Sequence, residues 1–142
     1  MTPPSSVVVD TMVVSALVNA GRDPGAAERC RSAIDGRSVV VSFVTITEMR
    51  FGAIKAGWGE IRRRGLERVL ARLVVVQPDD DLMLTCAALR ARCVTEGHSL
   101  GQKVHEADRW VASTAIALGV VLISGDGVFD HVAGLVVQAP SA

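Results

Sequence analysis

The stretch from Val104 to Gly127 reads VHEADRWVASTAIALGVVLISGDG and combines a helical pattern with a strand pattern. Apolar residues follow Asp108 at helical spacing, and they predict a helix that begins near this residue. They are Val111, Ala112, Ala115 and Leu118. Residues 120–123 are all apolar and predict a buried strand, and Asp126 comes shortly after it. A carboxylate on the core side of a helix costs desolvation energy, so Asp108 needs solvent, a helix N-terminus or a metal as partner.

Length and composition indicate one globular domain that spans residues 1–142, with residues 1–6 as a flexible N-terminal tail. The chain is 49% hydrophobic but only 4% aromatic, so Val, Leu, Ile and Ala must build its core. Fifteen basic and fifteen acidic residues balance, and bulk charge therefore predicts no nucleic-acid partner. The first residues lack the pattern of a signal peptide, and no apolar run is long enough to span a membrane.

The three cysteines form no CxxC motif and show no pairing pattern. Cys86 and Cys93 fall on an apolar helical stripe, so we interpret them as small core residues. An odd number of unpatterned cysteines predicts a reducing compartment, the cytoplasm.

Short apolar runs alternate with helical patterns along the whole chain. We predict strands at residues 7–9, 39–41, 74–76, 120–123 and 135–137. We predict helices at residues 11–19, 24–34, 45–56, 60–72, 80–95 and from 108, with a short turn at 128–129. This alternation predicts an α/β fold with a mainly parallel five-stranded sheet flanked by helices.

Four acidic residues lie close to predicted strand ends or helix starts: Asp10, Glu48, Asp108 and Asp126. Sites of parallel sheets lie beyond the carboxyl ends of the strands, and Asp108 joins the others if the loop at residues 97–103 returns the chain to that edge. Crowded carboxylates repel one another, and a hard divalent cation such as Mg²⁺ or Mn²⁺ relieves that repulsion. Such an ion can activate water and stabilise the leaving oxygen in phosphodiester hydrolysis.

Each acid taken alone also has a purely structural interpretation. Asp10 could cap the first helix, and Thr45 with Glu48 matches a capping box. Asp108 could favour a helix dipole, and Asp126 could be a turn residue. Four independent caps have no reason to converge on one edge of one sheet, so the set favours a shared site.

The ordered motifs VVVDT at 7–11, TxxE at 45–48, ADRWVASTA at 107–115 and LISGD at 122–126 resemble the PIN-domain family. The nearest resemblance is to VapC-type toxins of bacterial toxin–antitoxin modules, and it covers Val7 to Val137. It implies a parallel sheet flanked by helices. It also implies a Mg²⁺- or Mn²⁺-dependent endoribonuclease that cleaves RNA to inhibit translation and growth.

The resemblance also assigns roles to residues of this chain by their positions in the motifs. The catalytic and metal-binding acids would be Asp10, Glu48, Asp108 and Asp126, with Thr11 and Ser124 in support. Met12 stands where a small hydroxyl residue is common, and Trp110 is bulkier than the usual aliphatic residue. Asp130 lies close enough to Asp126 to compete for the place of the fourth acid.

Partners follow from the same resemblance, which implies an RNA substrate, a homodimer and a small VapB-type antitoxin. Our candidate antitoxin surface is Phe51–Leu73, with Trp58 either as an exposed anchor or as a rim residue of the core. Arginines spaced by four at 64, 68 and 72 could follow an RNA backbone, but we favour a solvated helix face. His105, three residues before Asp108, could approach the site.

Two other functions remain as alternatives. Residues 125–130 read GDGVFD and match the GDxxxD motif of haloacid dehalogenase-type phosphatases, with Asp10 as the nucleophile. That family has a second Asp where this chain has Met12, and no Lys is suitably placed before the fourth predicted strand. A non-catalytic PIN-like module that only binds RNA or protein would have lost a carboxylate, and none is obviously lost.

Overall fold

A wholly parallel sheet forms the centre of the computed structural model, which describes residues 5–140. Its strands are β1 (Ser6–Val9), β2 (Ser38–Ser42), β3 (Val74–Val76), β4 (Val121–Ile123) and β5 (Val137–Gln138). The strand order is β3-β2-β1-β4-β5, and every neighbouring pair is parallel. The predicted α/β class is confirmed, and β1 lies in the middle of the sheet.

Six α-helices connect and cover these strands. They are α1 (Thr11–Val18), α2 (Pro24–Ile34), α3 (Phe43–Lys55), α4 (Glu60–Leu70), α5 (Asp80–Glu96) and α6 (Glu106–Leu118). Short 3₁₀ turns occupy Ser99–Gly101, Lys103–His105 and Gly127–Phe129. The predicted bounds of α2 are confirmed: Pro24 is its first residue, and the Asp23 side chain caps it by accepting from Ala26 N at 3.0 Å.

The predicted start of α3 is wrong, whereas the predicted start of α6 near Asp108 is confirmed, with Asp108 in the first turn of the helix. Helix α3 begins at Phe43, because β2 runs directly into it and the Ser42 hydroxyl caps it by accepting from Val44 N at 3.3 Å. Thr45 and Glu48 are therefore not a capping box. Helix α6 begins at Glu106, because the 3₁₀ turn at Lys103–His105 leads straight into it.

The core consists of two apolar layers, one on each side of the sheet. Val7 and Val9 face one layer and Val8 faces the other, as the alternation of side chains along a strand requires. The first layer holds residues of α1 to α4, and the second holds residues of α5 and α6. Leu118 departs from the predicted stripe of α6: it is the last residue of the helix and is 47% exposed.

All three cysteines are buried free thiols, as predicted for Cys86 and Cys93. Residues 1–4 of the predicted tail lie outside the described residues, whereas Ser6 is already part of β1. The last strand begins at Val137 rather than at Leu135, whose N–H bonds to Val132 O in a turn. In residues 5–140, no helix has the length and apolarity needed to cross a membrane.

Candidate active site

Asp10 occupies the first position after the central strand β1. Its Oδ1 accepts a hydrogen bond from Val13 N at 3.0 Å, which caps α1, and its side chain is almost entirely buried. Its Oδ2 accepts a hydrogen bond from the Ser124 hydroxyl, at the end of the neighbouring strand β4. The capping interpretation is therefore right for Asp10, and the same carboxylate also reaches across the sheet edge.

The surroundings of Asp10 disfavour the ionised form of its carboxyl. Burial raises the pKa of this carboxyl most, while hydrogen bonds from Ser124 and Val13 lower it in part. The charges of Asp126 and Asp108 raise the pKa further, so both acids lie within electrostatic reach of Asp10. A cation at this position would favour the ionised carboxylate.

Glu48 reaches the same edge from α3. Thr11 Oγ1, on the first residue of α1, donates to Glu48 Oε1 at 3.0 Å and lies 3.2 Å from the buried Thr45 Oγ1. Although the Glu48 side chain is largely exposed, the loss of water around its carboxyl raises its pKa, and the Thr11 hydrogen bond lowers it. The charges of Asp108 and Asp10 also raise the pKa of Glu48.

Asp108 lies in the first turn of α6, and the preceding loop brings it to the site. The buried Arg109 fixes that loop by donating to Leu100 O at 3.0 Å and to Gln102 O. Asp108 Oδ2 lies 3.0 Å from His105 Nδ1, so His105 is a direct neighbour of a candidate site residue. Asp108 is half-buried and makes no capping bond to the helix start.

Asp126 completes the acidic set after β4. Its Oδ1 accepts from Val128 N at 3.0 Å, and its own N–H donates to Ser124 Oγ at 3.1 Å. The turn interpretation is therefore right for Asp126, yet its charge also raises the pKa of Asp10. Asp126 is therefore within electrostatic reach of Asp10.

The four acids share one electrostatic environment without forming a closed metal cage. In the described residues 5–140, no group of three or more His, Cys, Asp or Glu side chains is placed to hold a metal ion. Mg²⁺ commonly binds proteins through only one or two carboxylates and keeps several waters. The oxygen-only donor set and the raised pKa of Asp10 fit such an open site.

Sequence reasoning missed two residues that shape the site. Thr45 was interpreted as a helix cap, whereas it is fully buried and contacts Thr11. Arg109 is 2% exposed although arginine is rarely buried, and nothing local in the sequence reveals that it binds loop carbonyls. A charged residue within an apolar helical stripe is the signal that could have identified Arg109.

The other candidate surfaces lie on α4 and on the residues just before it. Trp58 is half-buried against the core, with the Arg62 guanidinium 3.8 Å from its ring centroid, so it is a rim residue of the core. Arg64 pairs with Glu60 on an exposed face of α4, which agrees with a solvated face for the arginine stripe.

The chain belongs to the PIN-domain family, because the family model for the PIN domain matches residues 7–135. No curated protein matches its sequence.

Several solved structures that are similar to this chain are of VapBC proteins. A chain of VapBC2 from Rickettsia felis, crystallised with a DNA fragment from the promoter, has a TM-score of 0.77 and 18% identity over 94% of this chain and 97% of that chain. A chain of VapBC-1 from nontypeable Haemophilus influenzae has a TM-score of 0.71 and 25% identity over 94% and 97%. VapBC-5 from Mycobacterium tuberculosis, of the VapBC family of toxin–antitoxin systems, has a TM-score of 0.65 and 25% identity over 98% and 100%.

Proposed function

We propose that this chain is a VapC-type toxin of a type II toxin–antitoxin module, a metal-dependent endoribonuclease that cleaves RNA to inhibit translation and growth. The observation that carries the proposal is the buried carboxylate of Asp10 in a PIN domain: the charges of Asp126 and Asp108 raise its pKa, and its own charge raises the pKa of Glu48. Burial and the charges of Asp126 and Asp108 both disfavour its ionised form. An edge that concentrates negative charge in this way suits a divalent cation.

In this proposal, Mg²⁺ or Mn²⁺ binds to Asp10, Glu48, Asp108 and Asp126, directly or through waters. When bound, the ion supplies an activated water and stabilises charge on the leaving oxygen. Ser124 holds the carboxylate of Asp10, and Thr11 holds that of Glu48, by the hydrogen bonds described above. Fixed carboxylates keep the ligand geometry without reorganisation when RNA binds.

The residue at position 12 argues against the phosphatase alternative. A second acid of the haloacid dehalogenase motif would stand there, but Met12 is an apolar side chain that is 70% exposed. The non-catalytic alternative is disfavoured by the acids, because all four candidate carboxylates are present and three of them influence the pKa of Asp10 or Glu48.

The proposed toxin needs a neutralising antitoxin and acts on RNA in the cytoplasm as a homodimer, as its similarity to VapC toxins implies. The free thiols agree with a reducing compartment. For the antitoxin we retain the Phe51–Leu73 surface but replace Trp58 as the anchor. Phe51, Ile54 and Ile61 are 61%, 70% and 83% exposed, and they offer apolar contacts on α3 and α4.

The decisive experiment compares Asp108→Asn with the cap variant Asp79→Ala. Asp79 caps α5 by accepting from Leu82 N at 2.8 Å and lies in no candidate site. We expect Asp108→Asn to lose RNA cleavage in Mn²⁺ without a lower melting temperature in metal-free buffer, since removing one crowded charge relieves repulsion. Asp79→Ala should keep full cleavage and lose about 1 kcal/mol of stability.

The same assay separates the alternatives. Full cleavage by Asp108→Asn with a lowered melting temperature would remove Asp108 from the site. A wild-type protein that releases phosphate from small esters and leaves RNA intact would be a phosphatase. A wild-type protein that binds RNA but hydrolyses neither substrate would be a non-catalytic module.

A further inference from the structure

A recess opens beside the acidic edge, between α1, α2 and the chain that follows β5. We name it the α1–α2 pocket. Residues that line it include Met12, Ala16, Ala26, Arg29, Asp126 and Pro140. Its walls are mostly apolar, and Asp126 belongs both to this pocket and to the candidate active site. The pocket therefore continues directly from the acidic edge.

Cys30 lies in the wall of the pocket, and charged residues near the pocket shift the pKa of its thiol. Burial raises the pKa of its thiol, the negative charge of Asp10 raises it further, and the positive charge of Arg29 lowers it. Asp10 and Arg29 are therefore both within electrostatic reach of one thiol. The residues that line the pocket include one acid, Asp126, and one cation, Arg29.

Arg29 is exposed and forms no ion pair with any residue in the described range 5–140. A guanidinium matches the geometry of a phosphate and can also stack on a flat base. Met12 adds an apolar side chain that is 70% exposed, and a thioether is a polarisable surface that adapts to a flat ligand. One cation beside apolar walls can bind the phosphate and the flat base of a nucleotide.

We propose that the α1–α2 pocket holds the nucleotide next to the scissile phosphate of the RNA substrate, with its base against Met12 and its phosphate at Arg29. This proposal rests on the ribonuclease function proposed above. The acids at the border of the pocket would place the cut phosphate beside the bound nucleotide. The pocket would therefore set a base preference at one position next to the cut.

The first test compares Arg29→Gln with Arg31→Gln in cleavage of single-stranded RNA with Mn²⁺. Arg31→Gln is the matched control, because Arg31 lies on the same helix and pairs with Glu28 at 3.1 Å but does not line the pocket. Both variants lose one positive charge. We expect Arg29→Gln to raise KM roughly tenfold with little change in kcat, because a charge-assisted contact is lost. The slope of log affinity against log salt should fall by about 0.7, and Arg31→Gln should resemble the wild type.

The second test measures base preference by sequencing the ends of cleaved products from a randomised RNA. Met12→Ala removes an exposed side chain and should not disturb folding, whereas Ala26→Leu fills the pocket from α2. We expect both variants to change the preference at one position next to the cut, while the wild type and Arg31→Gln share one preference.

Three results would overturn the pocket proposal, and each has a different meaning. Equal KM values and salt slopes for the two arginine variants, with unchanged base preference in Met12→Ala, would reject the pocket and leave the nuclease function standing. Normal cleavage and preference with lost antitoxin binding would assign the pocket to the antitoxin. Absence of RNA cleavage by the wild type would reject the proposed function itself.

Discussion

The Ser124 hydroxyl donates a hydrogen bond to the buried carboxylate of Asp10, although 114 positions separate the two residues in sequence. They meet because β4 and β1 are neighbours in the sheet, where Ile123 pairs with Val9. The same Ser124 oxygen accepts the N–H of Asp126. One serine therefore connects two of the candidate acids.

Ser124→Ala should weaken metal binding. The lost hydrogen bond lowers the pKa of Asp10 in the wild type, so the variant carboxyl would be harder to ionise and a poorer ligand. We expect the Mn²⁺ concentration for half-maximal RNA cleavage to rise about tenfold. Ser113→Ala is the matched control, because Ser113 is an equally buried serine whose hydroxyl has no partner in residues 5–140. An equal Mn²⁺ requirement in both variants would contradict the role of Ser124.

The raised pKa values of Asp10 and Glu48 predict how stability depends on pH. Each folded carboxyl keeps its proton at pH values where the unfolded chain, with ordinary values of 3.8 and 4.5, has released it. Their stabilising contribution is complete below those values and is lost as pH rises through the raised pKa values. We expect metal-free Asp10→Asn to gain melting temperature relative to wild type as pH rises from acidic to neutral. A constant difference between the two proteins would contradict this linkage.

In metal-free buffer the acids should make the wild type less stable as pH rises, and saturating Mn²⁺ should reverse this dependence on pH. The ion binds the ionised carboxylates, so its stabilising effect grows as pH rises and protons leave the site. Asp10→Asn should show little stabilisation by Mn²⁺ at any pH. Thermal melting with and without Mn²⁺ across the same buffers measures both effects.

Asp126 and Asp130 form a matched pair, since both are exposed acids of one loop. The charge of Asp126 contributes to the raised pKa of Asp10, so Asp126→Asn should reduce RNA cleavage strongly, whereas Asp130→Asn should keep it. Rates at saturating Mn²⁺ provide the comparison. The reverse order would make Asp130 the fourth acid.

Ser113 and Thr114 lie side by side on α6, and both are fully buried. The Ser113 hydroxyl has no hydrogen-bond partner in residues 5–140, whereas Thr114 Oγ1 donates to Trp110 O at 2.7 Å. Ser113→Ala should be neutral or stabilising, because it removes an unsatisfied buried group, and Thr114→Val should cost about 1 kcal/mol. Denaturant unfolding checks both, and a clear loss of stability in Ser113→Ala would indicate a partner for its hydroxyl.

The antitoxin surface can be tested by co-purification. Ile54→Ser should weaken capture of the antitoxin, because Ile54 is exposed on α3 within the proposed contact. Val136→Ser is the control, as Val136 is 63% exposed but lies near β5. Equal capture by both variants would remove Ile54 from the interface.

Local patterns predicted most of the fold. Runs of valine located the first three strands, and Pro24 located the start of α2, because each of these signals acts within a few residues. The start of α3 was wrong because Thr45 and Glu48 imitate a capping box. In the folded chain a tertiary contact with Thr11 engages both side chains instead.

The candidate site was predictable as a set of acids but not as an arrangement. His105 and Asp108 are three residues apart on the chain, so their contact has a local cause. The hydrogen bonds of Ser124 with Asp10 and of Thr11 with Glu48 depend on the strand order and on the packing of α1 against α3. No periodicity within a single segment encodes those distances.

The strand order also governs when the site can exist during synthesis. Because β4 pairs with the central β1, the carboxylate of Asp10 acquires Ser124 and Asp126 only after nearly the whole domain has left the ribosome. A nascent chain that ends before β4 lacks Asp126 and the hydrogen bond from Ser124 to Asp10. We therefore expect the proposed toxin to be inert during most of its own translation, so that the proposed antitoxin would need to capture only finished molecules.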